Sequence, residues 1–364
     1  MGIRTGSLEG VEVINTDFWK DKKVFLTGHT GFKGGWLTLW LHKMGAKVTG
    51  YSLPAPSTPS FFEAVGLEKF CDHHIGDIRN YEHLKKALDQ ANPDIVIHMA
   101  AQALVRHSYK NPIETYSTNV LGTVHLIEAV RHNHFVKSCV IVTTDKCYEN
   151  KEWLWGYREC DRLGGHDPYS NSKACAELVT SAYLKSFFQN SGHLGLASAR
   201  AGNVIGGGDF ADDRLIPDIY RAVLSKSELN IRYPGSTRPW QHVLVPLSGY
   251  LTLAENLYQD KSKYSEAFNF GPNDEDCISV GELVKKTAKF WGRDLPVKLE
   301  KTDKLHEAKF LKLDVSKAKA VLNWYPKWDV EKTILETTRW YKAYLDQKNV
   351  LELTLQQISS FESH

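Results

Sequence analysis

A tyrosine and a lysine stand four positions apart in the stretch "DPYSNSKACAEL". On a helix, Tyr169 and Lys173 would lie on the same face. A free tyrosine has a pKa of ~10, too high for a base at neutral pH, and a fixed ammonium nearby lowers that pKa by stabilising the phenolate. Such a pair can take a proton from a sugar hydroxyl. The alternative is a solvated helix face with one packed aromatic ring.

A glycine-rich turn, "TGHTGFKG", lies near the start of the chain, between an apolar strand at 23–26 and a helix expected over about 34–44. With the next strand at 47–51 it forms a βαβ unit. Gly28 would permit the sharp bend, Gly31 would let a pyrophosphate approach the backbone, and Gly34 would let the helix pack on the strand. We predict a dinucleotide site that includes Phe32 and Lys33. A plain tight turn is the alternative.

The end of the second strand bears on which dinucleotide is bound. NAD sites usually carry an acid there for the ribose hydroxyls, but the chain has Tyr51-Ser52-Leu53, and no arginine for a 2′-phosphate. These residues favour NAD over NADP. Asp77 could contact the adenine amino group, with Ile78 beside it, or Asp77 could cap the next helix. Ala100 and Ala101 would let the backbone approach the nicotinamide ribose.

Short apolar strands alternate with helical stretches over the first 200 residues. The strands "DIVIHMAA", "SCVIVTTD" and "LGLASARAG" are separated by helices expected around 81–90, 113–134 and 169–189. This alternation predicts an α/β fold with a doubly wound parallel Rossmann sheet. We assign 1–200 to a nucleotide-binding domain, to which a segment near 242–270 returns through "AFNFGP". Residues 201–364 are expected to form mainly a smaller α/β substrate-binding lobe, with Ser279 starting a helix.

Composition excludes several classes of protein. Of 364 residues, 42% are hydrophobic and 24% charged, and the net charge is +2, so neither a disordered chain nor a general nucleic-acid binder is expected. No apolar run reaches the roughly 18 residues of a membrane span. The six cysteines show no zinc or disulfide spacing, which favours a reducing cytoplasm and no metal.

The chain resembles the extended short-chain dehydrogenase/reductases that modify nucleotide sugars. The resemblance runs from about Lys22 to Tyr344 through TGHTGFKG, HMAAQ, TNVLGT, TTDK, YSNSK and RAGNV. It implies NAD as cofactor and a hydrogen-bonding set of Thr144, Tyr169 and Lys173 around the sugar C4 hydroxyl. It also implies a homodimer built from the helix around 113–134 and the helix that begins near Tyr169, with a dimer of dimers left open.

The residues after Thr144 point to one branch of that family. Relatives that epimerise C4 need only the Thr/Tyr/Lys set, whereas 4,6-dehydratases also need an acid to protonate the departing C6 hydroxyl. The dTDP and GDP types carry Thr-Asp-Glu here. This chain keeps the acid as Asp145 and has Lys146 in place of the glutamate, as in the CDP-glucose branch. Lys146 could be the C5 base, a cation beside the C4 enolate, or an ion-pair partner of Asp145.

The resemblance also implies a sugar-nucleotide site in the second lobe. Asn203 and Arg238 match positions that hold the diphosphate, and Arg214 is a weaker match whose alternative is a solvated loop charge. Gln102 and His107 would border the sugar, and Glu307 would contact the nucleoside. Asn119 is expected to be structural, beneath the Tyr169 helix.

The resemblance therefore implies dehydration of CDP-glucose to CDP-4-dehydro-6-deoxyglucose for surface polysaccharide such as lipopolysaccharide. The rivals are another nucleotide-sugar 4,6-dehydratase, a 4-epimerase, and a non-catalytic NAD-responsive binding protein. The last would be expected to have lost Tyr169, Lys173 or Asp145, and all three are present.

Overall fold

Seven parallel strands form the central sheet of the protein. The computed structural model describes residues 14–189, 192–299 and 310–364. In sheet order the strands run β11-β6-β5-β4-β1-β2-β3. Numbered along the chain, the thirteen strands of the described residues are β1 Lys23–Thr27, β2 Lys47–Ser52, β3 Asp72–Ile75, β4 Ile95–His98, β5 Ser138–Val142, β6 Gly195–Ala201, β7 Val204–Ile205, β8 Leu229–Ile231, β9 Thr237–Pro239, β10 Gln241–His242, β11 Ala267–Phe270, β12 Cys277–Ser279 and β13 Val297–Leu299.

The strand order confirms the predicted fold class. The order 3-2-1-4-5-6 is that of the doubly wound Rossmann fold, and β11 adds a seventh strand beside β6. Strands β4, β5 and β6 are buried along their whole length, as expected for a parallel sheet covered by helices on both faces. Their carboxyl ends meet at one edge of the sheet, which is where such folds bind ligands.

Helices cover both faces of the sheet and build the second lobe. The helices of the described residues are α1 Thr16–Trp19, α2 Phe32–Lys43, α3 Phe61–Val65, α4 Tyr81–Ala91, α5 Val105–Lys110, α6 Pro112–Tyr116, α7 Gly122–Arg131, α8 Pro168–Tyr183, α9 Leu215–Ser225, α10 Leu244–Gln259, α11 Lys261–Tyr264, α12 Val280–Trp291, α13 Ser316–Leu322, α14 Val330–Leu345 and α15 Val350–Glu362. Short 3-10 turns occur at Leu67–Phe70, Asp145–Cys147 and Asp274–Asp276, and single π-helical turns at Ser117–Leu121 and Leu184–Phe188. No helix of the described ranges is long and apolar enough to cross a membrane.

Several predicted helix boundaries differ from the observed ones. Helix α2 begins at Phe32, two residues before the predicted start, because Gly31 already occupies the N-cap position. The single helix expected over 113–134 is helical from α6 to α7 but is interrupted by the π turn at Ser117–Leu121. The predicted start at Ser279 is confirmed: Ser279 and Glu282 form a reciprocal capping box at the beginning of α12.

The second half of the chain packs back onto the first. Strand β11 pairs with β6, and the C-terminal helix α15 packs against α2 and α3. Trp40 of α2 donates a hydrogen bond from Nε1 to Glu362 at 2.8 Å, and its ring meets Phe361 edge-on. The smaller strands of the second lobe pair as β7 with β10, β8 with β13 and β9 with β12. The division into two domains at residue 200 stays a prediction.

Candidate active site

One large cavity opens at the carboxyl ends of the central strands. Its volume is about 1380 Å³, more than the ~300–1,000 Å³ typical of a single small-molecule pocket, so it can hold two extended ligands. Apart from Asp145, the predicted site residues that the structure describes line this cavity: Gly28, Gly31, Phe32, Lys33, Gly34, Asp77, Ile78, Ala100, Ala101, Gln102, His107, Thr144, Lys146, Tyr169, Lys173, Asn203, Arg214 and Arg238. Glu307 lies outside the described residues.

The glycine turn has the geometry of an anion cradle. Gly28 has a φ of +80°, and a Cβ there would come within 2.7 Å of the Ala100 backbone nitrogen. A Cβ on Gly34 would lie 2.1 Å from the Gly28 carbonyl oxygen, whereas one on Gly31 would meet that oxygen at only 3.4 Å. Gly28 and Gly34 are therefore required by the turn itself. Gly31 leaves space in front of the first amides of α2, where a pyrophosphate fits.

The outer end of the cavity has no acid after β2. Ser52 there shares a 2.8 Å hydrogen bond with Thr30. Asp77 follows β3 and is held by Arg79, whose guanidinium Nε donates to both carboxyl oxygens at 2.9–3.0 Å and lowers the pKa of Asp77. The alternative role of Asp77 as a helix cap is wrong, because Asn80 caps α4 by accepting a hydrogen bond from the His83 amide.

Helix α8 brings the tyrosine and the lysine to the end of β5. The helix starts sharply because Pro168 occupies its first turn and Asp167 accepts a hydrogen bond from the Ser170 amide at 2.9 Å. Lys173 donates from Nζ to the carbonyl oxygen of Val142, the last residue of β5, at 3.2 Å. The expectation for Asn119 is confirmed: its amide group donates to the Gln102 carbonyl and to the Ser172 hydroxyl.

The pKa of the tyrosine differs in direction from the sequence-based expectation. Burial raises the pKa of Tyr169 to about 12, and the hydrogen bond with Thr144 and the charge of Arg214 offset this only in part. Burial also lowers the pKa of Lys173 to about 8, while the nearby carboxylate of Glu177 raises it. The sequence pattern shows the pairing of the two side chains but not their removal from water, and burial is the larger effect.

The acid and the second lysine lie beside this pair. Asp145 is completely buried, and its Oδ1 accepts hydrogen bonds from the Thr144 hydroxyl at 3.0 Å and from Lys146 Nζ at 3.3 Å. Its Oδ2 receives no hydrogen bond within the described part of the chain and lies next to Gly202, where a Cβ would come within 3.0 Å. Lys146 lies in the cavity wall and also donates to Asn203 Oδ1 at 3.3 Å. Asp145 itself does not line the cavity, a position that the sequence pattern does not reveal.

The remaining predicted residues are held by partners of their own. The Gln102 side chain donates to Thr115 at 2.9 Å and accepts from the Leu104 amide at 2.6 Å, and His107 pairs with Glu114 at 2.9 Å. Arg238 is buried and donates to the Thr237 carbonyl. These contacts fix the loops that border the cavity.

Arg214 belongs to the site, and an acid that the sequence did not single out holds it there. Asp209 Oδ2 accepts from Arg214 Nη1 at 2.8 Å, and the charge of Arg214 acts on both Tyr169 and Lys33. Arg214 therefore has a charged partner at the cavity, and its side chain is 35% exposed there. Asp209 is five residues from its partner in "GGGDFADDR", but the three acids of this loop, Asp209, Asp212 and Asp213, make the pairing impossible to choose from spacing alone.

Lys33 extends from the glycine turn into the same cluster of charges. Its Nζ donates to the Tyr250 hydroxyl at 2.9 Å. Burial, with the charges of Lys173 and Arg214, lowers the pKa of Lys33 to about 7. Among the described residues no three His, Cys, Asp or Glu side chains are grouped as a metal site requires. Lys33, Lys173 and Arg214 together place three cations at the inner end of the cavity.

Fold and site together define an extended short-chain dehydrogenase/reductase. The chain belongs to the GDP-mannose 4,6 dehydratase family, whose sequence profile matches residues 25–337. It is 52% identical to the CDP-glucose 4,6-dehydratase of Salmonella typhimurium over 96% of this chain and 99% of that protein. It is 26% identical to a UDP-glucose 4-epimerase of Halalkalibacterium halodurans over 88% of this chain and 96% of that protein.

Solved structures share the fold. An epimerase from Methanothermobacter thermautotrophicus superposes with a TM-score of 0.80 at 22% identity, over 92% of this chain and 96% of that one. A dTDP-glucose 4,6-dehydratase from Bacillus anthracis, solved in complex with NAD, superposes with a TM-score of 0.74 at 22% identity, over 90% of this chain and 99% of that one.

The lowered pKa of Lys173 predicts a pH dependence of stability. The folded protein releases this proton near pH 8, whereas the unfolded chain keeps it until about 10.5, so folding becomes more favourable as the pH rises through this window. Relative to a Lys173→Met variant, the free energy of unfolding should rise by about 3 kcal/mol from pH 8 to pH 10.5. Urea unfolding at several pH values measures this. Parallel curves for the two proteins would contradict it.

Proposed function

We propose that the protein converts CDP-glucose to CDP-4-dehydro-6-deoxyglucose and water, with NAD as its cofactor. The observation that carries the reaction type is the carboxyl of Asp145 next to Thr144, Tyr169 and Lys173. A 4-epimerase needs no acid at that place. The 52% identity to a CDP-glucose 4,6-dehydratase supports the nucleotide and the sugar.

The dinucleotide fits the part of the cavity that is lined by the glycine turn and by the residues after β2, β3 and β4. The pyrophosphate would meet the amides at the start of α2 in front of Gly31, the adenosine would lie by Ser52, Asp77 and Ile78, and the nicotinamide ribose by Ala100 and Ala101. When bound, NAD accepts a hydride from C4 of the sugar and returns it to C6.

The side chains of the protein move the protons. Tyr169 takes the proton of the C4 hydroxyl, and the hydrogen bond with Thr144 and the charge of Arg214 favour the phenolate that does so. Lys173, one turn further along α8, would add a second positive charge to stabilise that phenolate. The resulting C4 ketone acidifies the C5 hydrogen. Loss of that proton and of the C6 hydroxyl, which leaves as water, gives a C5–C6 double bond that is then reduced at C6. The net change is the loss of one water.

Asp145 supplies the proton that makes C6 oxygen a leaving group. Its proton reaches that oxygen directly, after the side chain rotates past Gly202, or through the Thr144 hydroxyl at 3.0 Å from Oδ1. Lys146 contacts the reacting sugar from the cavity wall, as the C5 base or as the cation beside the C4 enolate. Its contacts with Asp145 and Asn203 hold it in place for either role.

The part of the cavity that is lined by the second half of the chain is assigned to the nucleotide of the substrate. Asn203, Arg214 and Arg238 line it, and an arginine fork matches the oxygens of a diphosphate. Gln102 and His107 border the sugar on the opposite side. The proposed cellular setting is the cytoplasm, in the synthesis of deoxysugars for surface polysaccharide.

The substrate assignment is tested with the purified protein, NAD, and CDP-, dTDP-, UDP- and GDP-glucose in separate reactions. Mass spectrometry should find a product lighter by one water only with CDP-glucose. Dehydration of another nucleotide sugar in preference would change the nucleotide assignment. Isomerisation or oxidation of the sugar without loss of water would show that the protein catalyses a different reaction.

The acid is tested with Asp145→Asn, which keeps the shape of the side chain but cannot protonate a leaving oxygen. C4 oxidation should persist, seen as absorbance of reduced cofactor, while the keto-deoxy product forms about 10²–10⁴-fold more slowly. The control is Asp276→Asn, because Asp276 is also buried but accepts from the Val330 amide away from the cavity. Product formation at the full rate by Asp145→Asn would show that Asp145 is not the acid.

We also propose a homodimer formed through the face of α6, α7 and α8. These helices pack side by side, and they leave apolar side chains exposed: Ile113 by 85%, Leu121 by 52% and Leu178 by 58%. A second copy would cover them and form a four-helix bundle. Contiguous exposed apolar surface of this kind usually marks an interface.

The dimer is tested by sedimentation equilibrium on a variant with Ile113→Lys and Leu178→Lys. The unmodified protein should sediment as a dimer or a multiple of it, and the variant as a smaller species. Leu154→Lys is the matched control, since Leu154 is 80% exposed on a different surface. A monomeric unmodified protein would rule the interface out.

A further inference from the structure

A buried ion pair lies directly behind the tyrosine and the lysine of the site. Glu177 is on α8, one turn beyond Lys173 and two turns beyond Tyr169, and it is 3% exposed. Arg200 is on β6 and is also 3% exposed. Arg200 Nη2 donates to Glu177 Oε2 at 2.8 Å. Neither residue lines the cavity, so the pair does not contact a substrate there.

Both oxygens of the Glu177 carboxylate accept hydrogen bonds from the strands beneath the helix. The Thr143 hydroxyl, at the end of β5, donates to Oε1, and the Ser198 hydroxyl of β6 donates to Oε2 at 2.7 Å. Thr143 immediately precedes Thr144 and Asp145. The carboxylate therefore attaches α8 to the segment that carries the rest of the site.

The Arg200 guanidinium also donates hydrogen bonds to groups other than Glu177. Arg200 Nη1 donates to the Tyr148 hydroxyl at 2.7 Å and to the Glu159 carbonyl at 3.1 Å. The Tyr148 hydroxyl in turn donates to Asn269 Oδ1 at 2.7 Å, on β11. A buried charge that loses its partner is strongly destabilising, so Arg200 and Glu177 are expected to need each other in this position.

Several titratable groups surround the Lys173 ammonium. Glu177 on its own helix and Cys147 on the 3-10 turn favour its charged form. His98 on β4 and Lys33 on α2 interact with it from the opposite side, and burial makes the pKa of His98 low enough to keep that ring neutral. Glu177, one helical turn from Lys173, raises the pKa of Lys173, whereas burial has the larger effect and lowers that pKa to about 8.

We propose that Glu177 is a positioning residue that supports the ammonium form of Lys173 and sets α8 on β5, with Arg200 as its buried counter-ion. This inference rests on the proposed function, because it concerns the proton transfer by Tyr169. A charged Lys173 stabilises the Tyr169 phenolate, and a neutral one does not. Glu177 thereby extends the pH range over which the tyrosine can act as a base.

Glu177→Gln tests the proposal, because it keeps the size of the side chain and removes its charge. Lys173 should lose its proton at lower pH. The alkaline limb of the kcat–pH profile should therefore shift to lower pH by about one unit. The KM for the nucleotide sugar should change less than about twofold, since the cavity wall is unchanged. Part of the lost kcat should return when the assay is made more acidic.

Two further variants separate charge from packing. Glu177→Asp keeps the charge and shortens the side chain, so its alkaline limb should stay near that of the unmodified protein even if its stability falls. Ser198→Ala removes one hydrogen bond to the same carboxylate without changing any charge, and it should not move the limb. If Glu177→Gln does not fold, the double variant with Arg200→Gln removes both buried charges and takes its place.

A readout without catalysis keeps this inference separate from the proposed function. Lys173→Met should remove the part of the unfolding free energy that rises with pH as Lys173 releases its proton. In the Glu177→Gln background, this part should begin to rise at a lower pH. No keto product from any nucleotide sugar with the unmodified protein would defeat the proposed function, and the unfolding curves would still decide this inference. The inference about Glu177 would be overturned if folded Glu177→Gln kept both the alkaline limb of kcat and the pH dependence of the unfolding free energy of the unmodified protein.

Discussion

The hydrogen bond from Lys173 Nζ to the carbonyl of Val142 is the contact on which the site depends. It joins the helix that carries Tyr169 to the strand that ends in Thr144 and Asp145. A helix can rotate and slide over a sheet unless polar contacts fix it, and apolar packing alone is not directional. The carboxylate of Glu177 adds a second attachment on the same strand through Thr143. Together the two contacts set the distance between residues 25 positions apart in the chain, Thr144 and Tyr169.

The parallel sheet explains why two ligand sites share one cavity. Its strands all end at the same edge, so the glycine turn after β1, the alanines after β4 and the reactive residues after β5 meet there. The charges at this edge are unequal: Lys33, Lys173, Arg214 and Arg238 outnumber Asp145 and Asp209. These four cations suit ligands that carry diphosphates, and both proposed ligands do.

Much of the fold and most of the site follow from local sequence. Gly28 and Gly34 are needed by the turn whatever lies around it, and the alternation of strands and helices leads to the Rossmann order that is observed. The sequence left the role of a side chain open where its contacts in space determine that role. Asp77 could cap a helix by spacing, but Asn80 does so; Arg214 could be a solvated charge, but Asp209 holds it at the cavity.

The sequence by itself determined the candidate residues for the chemistry, the glycine turn and the fold class, because these depend on neighbours within a few positions. Only the tertiary structure decided how those groups ionise and where they face. The pKa of Tyr169 is raised by burial, Asp145 is behind the cavity wall rather than on it, and Glu177 meets Arg200 across 23 positions of chain. Burial and through-space charge depend on which elements pack together, and a linear pattern does not contain that information.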